Sequence, residues 1–272
     1  MKMNYSNSTD YNSEKCTVFV SPVMDQWYTL IVIPNREWFE DIYSQLAISI
    51  TVSLITFCLI SFFYYIGYKN EQLYGKKVEE MNLQVVSALA SAIDAKDTYT
   101  NGHSSRVAKY SKMIAERAGY SKSEQDEIYM MGLLHDVGKI GVPDEVINKA
   151  GKLTEEEFEL IKKHPEIGSG ILEMIKERPK LSTGARWHHE RYAGGGYPDG
   201  LSGDAIPKEV RIITVADAYD AMTSRRSYRD VISQDKVRSE LEKCAGTQFD
   251  PEFARIMIDL INEDTGYTMR EI

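Results

Sequence analysis

The sequence predicts an all-α protein in which a helical domain follows a single membrane-spanning helix. Residues 42–68 contain no charged side chain, which is typical of a bilayer span. After that run, apolar residues recur at helical spacing, capping signals are frequent and strand patterns are scarce. All five histidines lie between positions 103 and 189, inside the helical part. This distribution indicates one functional centre in the helical domain.

Size and charge limit the function classes. A chain of 272 residues holds one large domain, because the part outside the helical domain is too short for a second full domain. The net charge of -9 argues against a nucleic-acid polymer as partner, although a small anionic ligand needs only a local cationic pocket. The three cysteines are far apart and form no disulfide framework.

The chain begins with a short segment, residues 1–45, that we expect on the extracytoplasmic side. Residues 1–14 lack a signal-peptide pattern and are predicted to be loose. Residues 17–20 and 27–33 predict two short strands, separated by Ser21 and Pro22 and ended by Pro34. The second strand, directly before a membrane segment, resembles the closing strand of a Cache-type sensor. We interpret the segment as a remnant of such a sensor.

Residues 46–66 predict the transmembrane helix. About 21 helical residues at ~1.5 Å each cover the ~30 Å hydrocarbon core of a bilayer. Tyrosines suit the two interfaces, and a group of lysines follows the span: Tyr43, Tyr64, Tyr65, Tyr68, Lys69, Lys76, Lys77. The positive charge predicts a single-pass protein of the inner (cytoplasmic) membrane with its C-terminal part in the cytoplasm.

Residues 67–84 predict a linker helix, and residues 85–272 the catalytic domain. An apolar stripe at steps of three and four residues crosses this boundary at Val78, Met81, Val85, Leu89 and Ile93. Two interpretations stay open: the helix packs on its own domain, or it pairs with a second copy in a parallel dimer.

Within the domain, capping boxes begin helices at Ser121 with Glu124 and at Thr154 with Glu157. Residues 191–207 form a loop rich in Gly and Pro. Residues 208–224 predict a helix that carries Asp217.

The chemistry centres on His135 and Asp136, which are followed by Lys139. An imidazole beside a carboxylate offers one nitrogen ligand and one oxygen ligand that can bridge two metals, and a lysine can meet a phosphate. An isolated His-Asp pair is weak support, but the confinement of all five histidines to one part of the chain favours a metal site.

These motifs resemble the HD-GYP domain, the metal-dependent branch of the HD phosphohydrolases that hydrolyses cyclic di-GMP. The resemblance covers residues 85–263. It rests on six ordered blocks, given by their positions: 102–107, 135–143, 164–168, 188–190, 196–198 and 215–222.

The resemblance implies a binuclear centre of two divalent transition metal ions, most often Fe or Mn, with a metal-bridging hydroxide as nucleophile. It places His103, His135, Asp136 and Asp217 around one ion. It places His164, His188 and His189 around the other, with Asp136 bridging both. Asp136 and Lys139 are then the catalytic residues, since the Lys139 ammonium can meet the scissile phosphate or protonate the leaving oxygen. The alternative for Lys139 is a surface lysine.

The resemblance also implies the substrate contacts. Arg226 and Arg229 match positions that grip the ligand's phosphates, with surface charge pairing as the alternative. Gly196, Tyr197 and Pro198 shape the substrate mouth, unless their loop merely joins two helices.

Three departures from the family pattern stand out. Ala193 replaces an Asp, which affects hydrogen bonding in the loop. Tyr99 occupies the place of a Glu found in three-metal members, so we expect two metals. Arg225 and Ser227 replace Asp and Pro beside Arg226, which can alter substrate affinity.

The expected reaction is hydrolysis of cyclic di-GMP to pGpG, with a second cut to GMP left open. The alternatives are a hydrolase of another cyclic dinucleotide such as cyclic GMP-AMP, and a module that binds ligands or proteins without catalysis. The intact ligand set disfavours the last, because buried charges are costly to keep without use. A homodimer, diguanylate cyclases and other signalling proteins are the candidate protein partners.

Overall fold

The computed structural model describes residues 4–11, 13–97, 102–224, 232–266 and 269. The chain divides into two compact units, Met1–Lys77 and Val78–Ile272. Each unit is described by itself.

The N-terminal unit contains a three-stranded antiparallel sheet in the order β1-β2-β3. Its strands are β1 (Asn4–Tyr11), β2 (Glu14–Met24) and β3 (Trp27–Pro34). The two predicted strands lie within β2 and β3, where Phe19 pairs with Ile31.

Two sequence expectations for this unit were wrong. Residues 4–11 are not loose, because β1 pairs with β2 from Asn4 opposite Val20 to Tyr11 opposite Glu14. Pro22 does not end the first strand, since β2 continues to Met24 with an irregular register there. A strand pairs through its backbone groups, so a polar segment can join an open sheet edge without an apolar pattern.

A single long helix, α1 (Asn35–Lys96), follows the sheet without a break. It contains both the predicted span and the predicted linker helix. By length and composition, the segment from Phe39 onward is sufficient to cross a membrane. Its apolar side chains are exposed, including Phe57 and Phe63.

The apolar stripe on the later part of α1 faces away from the core of the second unit. Val78, Met81, Val85 and Leu89 are 48%, 57%, 55% and 55% exposed. The opposite face buries Ala90 in the hydrophobic core. Packing on its own domain therefore leaves most of this stripe uncovered within the chain.

The second unit is helical, as the sequence predicts. The helices after α1 are α2 (His103–Arg117), α3 (Lys122–Leu134), α4 (Asp144–Ile147), α5 (Glu155–Ile161), α6 (His164–Leu172), α7 (Lys180–Trp187), α8 (Lys208–Thr223), α9 (Gln234–Cys244) and α10 (Pro251–Glu263). Both predicted capping boxes are present, at the starts of α3 and α5. The predicted helix that carries Asp217 is α8.

The core forms where α2 meets α3 and α8. Gly132 of α3 lies so close to α2 that an added Cβ would be 2.8 Å from the Ala108 Cα. On the other side of α2, Tyr110 meets Tyr219 of α8 edge to face, with ring centroids 5.0 Å apart. These contacts fix the helices that carry His103, His135 and Asp217.

A short 3₁₀ helix, Val137–Gly141, follows α3 and carries Lys139. Lys139 is therefore not on a continuation of α3, which ends at Leu134. Gly138 allows the close approach of this segment to α6, because an added Cβ would lie 1.8 Å from the His164 carbonyl oxygen. This approach places Asp136 beside the start of α6.

Candidate metal centre

Three histidines at helix ends are oriented by the same local hydrogen bond. In each, Nδ1 lies 2.7–2.8 Å from the carbonyl oxygen three residues earlier: His135 with Gly132, His164 with Ile161, and His188 with Ala185. A carbonyl oxygen only accepts, so Nδ1 carries the proton in each ring. Each Nε2 atom is left with a lone pair directed into the centre.

His103 is oriented by a carboxylate instead. It is the first residue of α2, after Gly102 in the left-handed conformation (φ 71°). Its Nδ1 lies 2.8 Å from Oδ2 of Asp220 on α8, so this ring also donates from Nδ1 and keeps a free Nε2.

The Nε2 atoms meet in pairs. Nε2 of His103 lies 3.3 Å from Nε2 of His135, and Nε2 of His164 lies 3.2 Å from Nε2 of His188. Two lone pairs at this separation repel each other, and a shared metal ion turns both into ligands. The donor set therefore fits divalent metal ions.

Asp136 lies between the two pairs and turns one oxygen toward each. Its Oδ2 is 3.6 Å from His103 Nε2 and 3.5 Å from His135 Nε2. Its Oδ1 is 3.2 Å from His164 Nε2 and 3.7 Å from His188 Nε2. Burial opposes the charge, but the Lys139 ammonium holds the pKa of Asp136 well below its usual range. An ionised carboxylate in this position can bridge two cations.

Asp217 and His189 complete the two groups. Oδ1 of Asp217 lies 3.4 Å from His103 Nε2, and Asp217 forms a candidate cluster with His103 and His135. His189 forms another with His164 and His188. Burial and nearby His164 lower the pKa of His189 to about 4, so the ring is neutral, as a metal ligand must be. All the predicted metal ligands thus come together.

Lys139 is largely shielded beside the centre, with its side chain 16% exposed. Its Nζ lies 2.7 Å from Oδ2 of Asp136 and 3.1 Å from Oδ2 of Asp97. Burial alone would lower the pKa of Lys139, but these two carboxylates raise it above its usual value. The lysine is therefore a fixed positive charge.

The family model for the HD domain matches residues 87–253. This match covers more than half of the chain. The chain belongs to the HD domain family.

Curated relatives resemble the same region. The cyclic di-GMP phosphodiesterase response regulator RpfG of Xanthomonas campestris is 43% identical over 178 residues, which are 64% of this chain and 47% of that protein. The 3'3'-cGAMP-specific phosphodiesterase 2 of Vibrio cholerae is 36% identical, over 67% of this chain and 35% of that protein. The cyclic di-GMP phosphodiesterase of Thermotoga maritima is 37% identical, over 75% and 56%. The chain therefore spans about a third to just over a half of these relatives.

A solved structure shows the same fold. The cyclic GMP-AMP-specific phosphodiesterase V-cGAP3 of V. cholerae matches with a TM-score of 0.53 and 19% identity, over 66% of this chain and 48% of that one.

The loop after the last two histidines of the HD domain folds back over the centre. The Tyr197 ring stacks on the His189 ring, with centroids 4.8 Å apart. The peptide bond between Tyr197 and Pro198 is cis. Gly196 is required by close packing, because an added Cβ would lie 2.5 Å from the Glu190 Cα. The loop thus contacts the centre and does more than join two helices.

Two residues that hold parts of the centre in place were not among the site residues predicted from the sequence. Asp220 holds both His103 and the Arg106 guanidinium, and its spacing of three residues from Asp217 on α8 was the available signal. Glu190 is buried, and its Oε1 accepts from the backbone N–H groups of Asp199 and Gly200. No spacing rule in the sequence pointed to that contact. Predicted roles for Tyr99, Arg225, Arg226, Ser227 and Arg229 lie outside the described residues.

A cavity of about 1540 Å³ opens over the centre. Gly196 and Tyr197 line it together with most of the predicted ligands. Lysines from several segments also line it: Lys139, Lys149, Lys152, Lys162 and Lys236. The cavity joins a metal-ligand set to a cationic wall, which suits an anionic ligand.

Proposed function

We propose that this HD domain protein is a metal-dependent phosphodiesterase of the HD-GYP type that hydrolyses cyclic di-GMP to pGpG. The observation that carries the proposal is Asp136, whose two oxygens face different histidine pairs at the floor of a large cavity. Relatives named as cyclic dinucleotide phosphodiesterases support the substrate class.

Two divalent transition metal ions, Fe or Mn, are the proposed cofactors. One group would be His103, His135 and Asp217, the other His164, His188 and His189, with Asp136 shared. When bound, the ions activate water and stabilise charge on the phosphoryl oxygens. Histidine and carboxylate ligands suit several metals, so the choice between Fe and Mn rests on the family resemblance.

Lys139 is the proposed catalytic partner of Asp136. Its Nζ is a largely shielded, positively charged donor at the edge of the donor set. From there it can neutralise a phosphoryl oxygen or give a proton to the leaving oxygen.

We propose that Tyr197, Gly196 and Pro198 form the substrate mouth and that Arg226 and Arg229 bind phosphate.

The size of the cavity agrees with a ligand of two nucleotides. Pockets for drug-sized ligands measure roughly 300–1,000 Å³, and this cavity is larger.

The second candidate substrate is 3'3'-cGAMP, because proteins named as specific for it match the HD domain at 36–39% identity. A module that binds without catalysis is the non-enzymatic alternative.

We further propose that residues 46–66 cross the inner membrane once, with the HD domain in the cytoplasm. The support is the exposed, charge-free apolar surface of α1 and the lysines that follow it.

In that setting the exposed stripe from Val78 to Leu89 favours pairing of two parallel copies. Diguanylate cyclases are proposed partners because they make the substrate. The sheet β1–β3 is proposed to be a sensor remnant.

The test is a product assay on the full chain, purified anaerobically in detergent and loaded with Mn or Fe. Cyclic di-GMP, 3'3'-cGAMP and the linear product pGpG are offered in parallel, and products are separated by chromatography. We expect pGpG from cyclic di-GMP and two transition metals per chain by elemental analysis. Faster turnover of 3'3'-cGAMP would select the second candidate. No turnover of either by metal-loaded protein would contradict the enzymatic proposal.

A further inference from the structure

The end of α1 is joined to the segment that carries Lys139. Nζ of Lys96 donates to the carbonyl oxygens of Lys139, Ile140 and Val142, at 3.2, 2.8 and 2.6 Å. In return, Asn148 Nδ2 donates to the Lys96 carbonyl oxygen at 2.9 Å. Carbonyls at the end of a helix often lack partners in that helix. The Lys96 ammonium therefore caps the end of the 3₁₀ helix, where the Lys139 carbonyl oxygen also accepts from the Val142 backbone N–H.

The next residue, Asp97, contacts the side chain of Lys139. Its Oδ2 lies 3.1 Å from Lys139 Nζ, and the two side chains are only 10% and 16% exposed. An ion pair with so little exposure holds its geometry more firmly than a surface pair.

The two carboxylates around Lys139 have different surroundings. Asp136 faces the histidines and belongs to a candidate metal cluster, whereas the described clusters do not include Asp97. Lys139 therefore contacts one carboxylate that belongs to a candidate metal cluster and one that lies outside the clusters found among the described residues.

The same helix end also supports the start of α2. Asp94 accepts from the Ser104 backbone N–H at 3.1 Å and from the Ser104 hydroxyl at 2.6 Å. Ser104 directly follows His103. The end of α1 therefore contacts both the segment that carries His103 and the segment that carries Lys139.

We propose that Asp97 is a positioning residue for Lys139, and that Lys96 fixes the backbone from which Lys139 extends. This inference rests on the proposed function, in which Lys139 acts on the phosphate. Asp97 directly follows α1, a helix continuous from Asn35, so the place of the Lys139 ammonium depends on the end of that helix.

The main variant is Asp97→Asn in the metal-loaded full chain, with cyclic di-GMP as substrate. The amide keeps the shape of the side chain but removes its charge. We expect kcat to fall by ~10- to 100-fold, as for a misplaced catalytic group, with KM and metal content nearly unchanged. Wild-type kcat in this variant would overturn the proposal.

A double variant asks whether Asp97 acts through Lys139. If it does, Asp97→Asn combined with Lys139→Ala turns over no more slowly than Lys139→Ala alone. Losses that multiply would mean an independent role and would overturn the proposal. Asp144→Asn is the matched control, because this exposed carboxylate lies 3.3 Å from Lys96 Nζ and we expect wild-type kinetics.

A readout without turnover separates this proposal from the proposed function. Trace acetylation with acetic anhydride, followed by mass spectrometry, measures the reactivity of each lysine. Labelling of Lys139 should rise several-fold in Asp97→Asn relative to surface Lys112. If the wild type hydrolyses no cyclic dinucleotide, the proposed function fails, while raised labelling still supports the contact and unchanged labelling overturns it. Should Asp97→Asn not fold, Lys96→Met is expected to give the same rise, and its absence would overturn the proposal.

Discussion

His103 and Asp220 form a buried hydrogen bond of 2.8 Å between Nδ1 and Oδ2. The same carboxylate accepts from Arg106 Nε at 2.6 Å. Burial alone would raise the pKa of Asp220, but the hydrogen bonds from His103 and Arg106 hold it below its usual value. An ionised Asp220 fixes the tautomer of His103 and directs its Nε2 toward Asp136 and Asp217.

Replacing Asp220 should therefore weaken one metal position. In Asp220→Asn the amide can no longer act as an anionic acceptor, so His103 loses its fixed tautomer. Loss of such an outer partner costs ~10- to 100-fold in metal affinity. Metal titration should show that one of two equivalents binds more weakly. Asp126→Asn is the control, since Asp126 pairs with Lys112 on the surface, and equal affinities in both variants would contradict this role.

The fold was predictable where local signals were strong. The capping boxes at Ser121 and Thr154 mark helix starts through contacts within four residues, and the structure has both. The pairing of β1 with β2 was missed because it depends on backbone groups of another strand. A polar sequence gives no sign of such a partner.

The grouping of the candidate ligands was predictable from the sequence, but the contacts that support them were not. The residues predicted as metal ligands lie close together in the fold, and their role as ligands stays a prediction. Asp97 and Glu190 were not among the predicted site residues, since the contacts of each form only in the folded chain. Lys139 lies three residues after Asp136 in the sequence, and only the structure shows that it belongs to a separate 3₁₀ helix next to α6.

The close approach of the backbone at Gly138 predicts that a larger residue there destabilises the protein. A methyl group there would lie 1.8 Å from the His164 carbonyl oxygen and 2.5 Å from the Gly168 backbone nitrogen. Backbone must move to admit it, which costs about 1–3 kcal/mol or more. Gly138→Ala should lower the Tm and the metal content together, because the segment that carries Asp136 shifts away from α6.

Gly170 supplies the matched control for this change. It lies on α6, and an added Cβ would meet nothing within 4 Å. Gly170→Ala should leave the metal content unchanged and raise stability by roughly 0.5–1 kcal/mol, as alanine favours a helix over glycine. Thermal unfolding of both variants measures the difference, and a Gly138→Ala protein as stable as wild type would contradict the close packing.

The proposed membrane topology is tested by reporter fusions. A fusion after Lys77 should behave as cytoplasmic, and one before residue 46 as periplasmic. The physical reason is the charge-free run from residue 42 to 68, flanked by Lys69, Lys76 and Lys77 on the inner side. Deletion of residues 46–66 should release the protein from the membrane fraction. Periplasmic activity after Lys77 would rule out this orientation.

The last prediction separates Asp136 from Lys139, which are paired at 2.7 Å. Asp136→Ala removes the carboxylate that faces both histidine pairs, so metal content and turnover should collapse together. Lys139→Ala removes no metal ligand. It should keep its metals but lose on the order of 10²-fold in kcat, as for a lost general acid or stabilising charge.

Stability measurements make this comparison decisive. Lys139→Ala removes the cation that contacts both Asp97 and Asp136. Breaking a pair of this kind by removing one partner costs about 3–5 kcal/mol, so kcat must be measured on protein shown to be folded. Elemental analysis beside the product assay then assigns the roles. A folded Lys139→Ala protein with its metals and near-normal kcat would make the lysine only a counter-charge for the two carboxylates. Loss of metal from that variant would mean that Lys139 holds Asp136 in its bridging position, because the two side chains are in direct contact.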